Sequence, residues 1–247
     1  MALSFEMRII AFFIFFTLIV FTAGNLLNIE SYLIYHFMFV MSAVAGLTKL
    51  SIVYARKFGY VDNPSVRKIH SKPTPSTGGM IFIPIAGISW LIKMSDSLDE
   101  KVLSLSFSIL LMFILGLIDD RKPISHKIKL PLQILASVIV IHFWNFIPLD
   151  FGGAFGIDTV GNVWGWILMI AFFQFTINAI NYMDGINGLL GSYLVLVFSF
   201  LYLWSGAIDL IEIKHLLASM IAGILTFLYF NFRRTAETFM GDAGSTA

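Results

Sequence analysis

The stretch Asn178-Ala-Ile-Asn181-Tyr-Met-Asp184-Gly185-Ile-Asn187-Gly188 places three carboxamides, one carboxylate and two glycines directly after the uncharged apolar run Val163–Ile177. Polar groups at such a place are costly unless they meet water, ions or one another. If the helix continues through Met183, Asn178 and Asn181 share a face at i, i+3 spacing. Gly185 and Gly188 then end the helix and let Asp184 and Asn187 point into a polar pocket. Asparagines also bind helices to each other, so this stretch alone leaves pocket and interhelical glue as alternatives.

Three further stretches carry similar chemistry. Asp119-Asp120-Arg121-Lys122 follows an apolar run; adjacent carboxylates repel, and a divalent cation or a cationic ligand relieves the repulsion. The alternative is an exposed helix end paired with Arg121 and Lys122. Asp62-Asn-Pro64-Ser-Val-Arg67-Lys68-Ile-His70-Ser-Lys72-Pro73-Thr-Pro75-Ser76-Thr-Gly78-Gly79 gathers four basic groups within six residues. They form either a cradle for phosphate oxygens or a basic loop lying on anionic lipid headgroups. The glycine pair lets backbone approach a ligand or another helix closely. Phe239-Met240-Gly241-Asp242-Ala243-Gly244-Ser245 sets one Asp between glycines, suited to a metal or a phosphate unless it is a frayed tail. Together, Asp119, Asp120, Asp184 and Asp242 against Arg67, Lys68, His70 and Lys72 describe a site for a metal and a phosphorylated substrate.

The elements that must position these groups are membrane spans. Of 247 residues, 58% are hydrophobic and only 13% charged, against roughly 25% charged in an ordinary soluble domain. The sequence predicts an all-α, polytopic integral membrane protein, one domain over residues 1–247 embedded in a lipid bilayer. Eight apolar segments approach the ~20 residues needed to cross a ~30 Å core: Met7–Leu27, Tyr32–Tyr54, Gly78–Lys93, Val102–Ile118, Lys129–Ile147, Val163–Ile180, Leu189–Ser205 and His215–Phe232. The third and seventh are short. With no cysteine there is no disulfide, zinc–thiolate site or thiol nucleophile, and a net charge of +1 gives nucleic acid no basic surface. Loops 55–77 and 119–129 and the pair Arg233-Arg234 hold most of the Lys and Arg, whereas the alternate connections are poor in them. The positive-inside rule then puts all four polar stretches on the cytoplasmic side. Lys49 is expected to snorkel to the interface, and His36 and His142 to be packed or interfacial rather than ligands. Carboxylates at span ends on one side, without paired halves, argue against an ion-coupled transporter; a catalytically silent scaffold is the other alternative.

In this order the motifs resemble the polyprenyl-phosphate N-acetylhexosamine-1-phosphate transferases, glycosyltransferase family 4, which includes the phospho-MurNAc-pentapeptide translocases. The likeness runs from about Tyr54 to Ala247: Asp-x-Pro-x-x-Arg-Lys-x-His, Pro-Thr-Pro and Gly-Gly, the Asp-Asp pair, Asn-x-x-Asn-x-x-Asp-Gly-x-x-Gly, and Phe-Met-Gly-Asp-x-Gly-Ser. The resemblance implies an inner-membrane enzyme that transfers a sugar 1-phosphate from a UDP-N-acetylhexosamine to undecaprenyl phosphate, with Mg²⁺ (or Mn²⁺) and release of UMP, as a first step of cell-surface polysaccharide assembly. By the family's roles Asp119 and Asp120 would handle the lipid phosphate, Asp242 the metal, and Asn181 and Asp184 the metal or diphosphate. Asn178 and Asn187 would bind substrate, Asn187 toward the nucleotide, and Arg67, Lys68, His70 and Lys72 would complement phosphate charge. Three departures stand out: Asn187 where many bacterial members carry Asp, Ser76 where Arg is usual, and a chain that stops where the family continues into further spans. The family's domain is therefore expected to be present only in part, and a homodimer is left open.

Overall fold

The computed structural model describes residues 32–64, 72–147, 149–150, 152–153, 159–205 and 211–247. Seven long helices and one short one dominate them: α1 Tyr32–Phe58, α2 Gly78–Lys93, α3 Glu100–Arg121, α4 His126–Phe143, α5 Asn162–Met183, α6 Leu189–Ser205, α7 Ile211–Asn231 and α8 Asp242–Ser245. Five of them are long and apolar enough to cross a membrane, and α2 and α6 are shorter apolar helices of 16 and 17 residues. Seven of the eight expected segments are thus helices, and the third and seventh are the short ones. The first, Met7–Leu27, lies outside the described residues.

Local chemistry sets the boundaries. The Asp99 side chain accepts the Val102 amide at 2.8 Å and starts α3 two residues before the apolar run. Pro123 ends it, because the residue before proline is pushed out of the helical region; Lys122 is extended. Ser125 caps α4, which begins at His126 and stops at Phe143, four residues short of the expected end. Helix α5 runs on to Met183, so Asn178 and Asn181 are helical.

Helix α7 is the centre of the bundle. Its membrane-length window is 61% buried, against 6% for α5, and it packs on α1, α2 and α6. Val40, Val44, Phe82, Ala86, Trp90, Leu190, Ile224 and Phe227 form the main core. A smaller cluster, Met112, Leu115 and Ala136, joins α3 to α4. Two short antiparallel ribbons complete the fold: β1 (Val61–Asp62) with β2 (Thr74–Pro75), and β3 (Leu149–Asp150) with β4 (Thr159–Val160). Lys49 pairs with Glu237 at 3.2 Å, which gives α1 a polar tie to the segment after α7.

That segment is not a frayed tail. Met240 and Ala243 are fully buried, and the backbone is threaded between helices. Phe239 donates to the Pro75 carbonyl at 2.8 Å, and the Gly78 and Gly79 amides donate to the Phe239 and Met240 carbonyls at 3.0 and 2.8 Å. A Cβ on Gly79 would overlap the backbone of Gly244, and one on Gly116 would lie 2.5 Å from Ala243 Cα. Glycine at these two helix positions admits main chain where a side chain would stand. Asn231 closes the arrangement, accepting the Gly188 amide at 2.7 Å and donating to the Thr238 carbonyl at 2.9 Å.

Candidate active site

The ends of α3 and α5, the start of α4 and the segment 239–245 meet at one end of the bundle. The ends of α3 and α5 and the segment 239–245 border a cleft of about 890 Å³ whose wall includes Asp62, Asp119, Asp120, Asn181, Asp184 and Asp242. The four acidic stretches separated in sequence are therefore brought together.

The two members of the Asp-Asp pair face different partners, which resolves their mutual repulsion. Asp119 accepts the Ile124 amide at 2.5 Å and the Lys129 ammonium at 2.7 Å. Lys129 also reaches Asp242 at 2.8 Å. With only 9% of its surface exposed, this lysine is held as a shared counter-ion, because a buried ammonium is tolerated only when paired. The other oxygen of Asp242 accepts from Asn181 at 2.7 Å, and Asn181 also donates to Ser245 Oγ at 2.8 Å. Burial pushes the Asp242 carboxyl above the usual range, with Asp119 acting in the same direction and Lys129 and Asn181 opposing it.

Asp120 turns to the backbone instead, accepting the amides of Asp242 and Ala243 at 2.8 and 2.9 Å. Asp184 accepts those of Gly241 and Met240 at 2.8 and 3.3 Å. Its carboxyl is pushed up to about 8, chiefly by burial; those amides pull the other way, and the charges of Asp120 and Asp242 add to the rise. An exposed helix end paired with Arg121 and Lys122 is not what forms: Asp119 and Asp120 are half-buried and bonded inward.

The remaining sequence-derived residues divide. Asn181 and Asp184 join the site. Asn178, one turn before Asn181, donates to the Gln174 carbonyl of its own helix at 2.7 Å. Asn187 does not line the cleft; it donates to the Arg233 carbonyl at 3.0 Å. Lys72 is exposed before β2, while Arg67, Lys68 and His70 lie outside the described residues. Arg121 lines the cleft and is its described cationic wall residue. Lys129 escapes a sequence reading that counts it among loop charges. Its signal is spacing: Lys129, Gln133 and Ser137 recur at i, i+4, i+8 as buried polar groups on an otherwise apolar helix.

Among the described residues no three His, Asp or Glu side chains are grouped so as to hold a metal unaided. Asp119 and Asp242 nevertheless converge on one cationic point, taken by Lys129. Two carboxylates fit Mg²⁺, which commonly uses one or two with substrate phosphates and water completing its shell.

Helical spans with acidic groups gathered at one end define a polytopic membrane protein with a polar, acidic site. The family model described as "Glycosyl transferase family 4" matches residues 102–247, and the chain belongs to that family. It is similar to "Undecaprenyl-phosphate alpha-N-acetylglucosaminyl 1-phosphate transferase" of Yersinia pestis (31% identity over 226 residues) and of Escherichia coli O157:H7 (33% over 229), in each case across 90% of this chain and 60% of the relative. It also resembles "Phospho-N-acetylmuramoyl-pentapeptide-transferase" of Clostridium kluyveri, at 29% identity over 230 residues, 85% of this chain and 70% of the relative. The chain thus spans about 60% of the length of the N-acetylglucosaminyl relatives.

Proposed function

We propose that this chain carries the catalytic centre for transfer of a sugar 1-phosphate, N-acetylhexosamine 1-phosphate in particular, from a UDP-sugar to undecaprenyl phosphate. The observation that carries the reading is the convergence of Asp119 and Asp242 on one cationic point beside a cleft of about 890 Å³. The names of the relatives supply the substrate class. The concentration of Lys and Arg in the loops on the site side supports a cytoplasmic orientation, in the inner membrane of a bacterium.

In the reaction an oxygen of the acceptor phosphate attacks the phosphorus that bears the sugar. The bond from that phosphorus to the oxygen bridging to the nucleotide breaks, and UMP leaves with the electron pair. A phosphate monoester with a second pKa near 6 is already largely dianionic at neutral pH, so the greater need is screening of two anions rather than removal of a proton. Among the described residues the cleft wall holds Asp62, Asp119, Asp120, Asp184 and Asp242 with one cation, Arg121, while Lys129 is taken up by Asp119 and Asp242. Asp119 and Asp242 would hold Mg²⁺, which supplies the charge neutralisation for both phosphates when bound. Asn181 fixes Asp242 through its amide, and Lys129 keeps the two carboxylates together. Arg121 is placed to meet a phosphate entering the cleft. Arg67, Lys68, His70 and Lys72 contribute cationic charge from the preceding loop, whereas Asn178 and Asn187, bonded to the Gln174 and Arg233 carbonyls, take no part in substrate binding.

The test is incubation of the protein, purified in lipid nanodiscs, with undecaprenyl phosphate and UDP-sugar labelled in the sugar. Divalent-dependent appearance of labelled lipid together with UMP supports the proposal. A well-folded preparation that yields neither with any UDP-N-acetylhexosamine overturns it.

A further inference from the structure

Four consecutive main-chain amides, those of residues 240–243, point at just two side chains. Asp120, from the end of α3, takes Asp242 and Ala243; Asp184, following α5, takes Met240 and Gly241. Each of the four carboxylate oxygens accepts one of these N–H groups. Between them Gly241 has φ +75°, and a Cβ there would lie 2.8 Å from Asp120 Oδ2. Only a residue without a side chain passes easily between the two carboxylates in this conformation. The side chain of Asp242 faces away from both, toward Lys129 and Asn181.

We infer that Asp120 and Asp184 are positioning residues, a two-carboxylate clasp on the backbone of 240–243 that aims Asp242 at the cleft and acts on the chemistry through it. This assigns the four acidic residues to two jobs: Asp119 and Asp242 present oxygens around a cation, and Asp120 and Asp184 hold the main chain that carries one of them. The inference rests on the proposed function for what Asp242 does, although the clasp itself is testable without any turnover. An Asn at position 120 or 184 keeps one acceptor and turns an NH₂ toward an amide N–H, so each variant leaves one of the four amides unpaired.

The experiment is hydrogen–deuterium exchange of the full chain in nanodiscs, read on peptides covering 238–246, alongside Mn²⁺ binding followed by electron paramagnetic resonance. Asp120→Asn and Asp184→Asn are each expected to speed exchange at 240–243 at least tenfold and to weaken Mn²⁺ binding about tenfold, with helical peptides unchanged. Gly241→Ala keeps all four carboxylates and attacks the clasp from the loop side; it should do the same, and it decides the matter if the Asn variants unfold. Lys129→Met, which touches no amide of the loop, should leave the exchange slow. Unchanged exchange at 240–243 in the folded Asn variants, or in Gly241→Ala, overturns the clasp. Faster exchange with Mn²⁺ affinity unchanged shows a structural role only and overturns the positioning role. If the parent protein binds no Mn²⁺ while exchange responds as expected, the clasp stands and Asp242 as a metal ligand is overturned.

Discussion

The bundle buries polar side chains at both of its ends, to different effect. Where α1 begins, α2 finishes and α7 begins, His36 bonds Ser219 at 2.7 Å and Ser89 at 3.2 Å, and the ring of His215 stands edge-on 6.5 Å away. His36 is 7% exposed and Ser219 not at all; His36 finds hydroxyl partners on both ring nitrogens. At the other end, Asp119, Asp120, Asp184 and Asp242 are also bonded, but they line a cleft. Buried polarity in an apolar bundle therefore does not by itself mark chemistry. What separates the two ends is a surplus of one charge sign facing open space.

The contrast can be broken most forcefully at Asp242. Asp242→Asn should reduce labelled lipid product by at least about a hundredfold, since it removes preorganised charge at the reacting centre; an active variant would make the two ends equivalent. Lys129→Met should come next. Removing one partner of a buried ion pair costs about 3 kcal/mol, seen as a lower melting temperature. Because Asp119 and Asp242 then have no ammonium, added Mg²⁺ should raise that temperature more in the variant than in the parent. No such difference would mean that the two carboxylates do not serve a divalent ion.

His36→Ala sharpens the comparison from the other side. It should lower stability by about 1–3 kcal/mol by removing the partner of the buried Ser89 hydroxyl while leaving the transferase rate unchanged, with denaturation and turnover measured on the same preparation. The last measurement concerns pH. Asp184 holds its proton up to about 8 in the folded protein against 3.8 for an ordinary aspartate, so between those values the folded state binds more protons than the unfolded chain. Stability should therefore fall as pH rises from about 4 to about 8 and level off above. Asp184→Asn should flatten that slope in a melting-temperature series.

Much of this architecture is readable from residue types. Uninterrupted apolar runs locate the helices, and α2 and α6 match their expected limits residue for residue. The meeting of the acidic stretches at one end follows from alternating span direction. What is not readable is the partner each acid chooses. Asp120 and Asp184 bind main-chain amides, which every residue possesses, so no side-chain pattern announces them. Asn187 shares its motif with Asp184, yet the turn after α5, with Gly188 at φ +76°, sends it to the Arg233 carbonyl. The segment 239–245 shows its Asp between glycines in the sequence but not its burial, because its anchors are the bare backbones of Gly79 and Gly116, which hydropathy does not register.

Those two glycines have a wider consequence. Since the peptide planes of residues 243 and 244 rest directly against α2 and α3, the gauge of the site is the thickness of a polypeptide, a dimension that substitution elsewhere cannot alter. A single methyl group on either helix would wedge the acids apart while touching none of them.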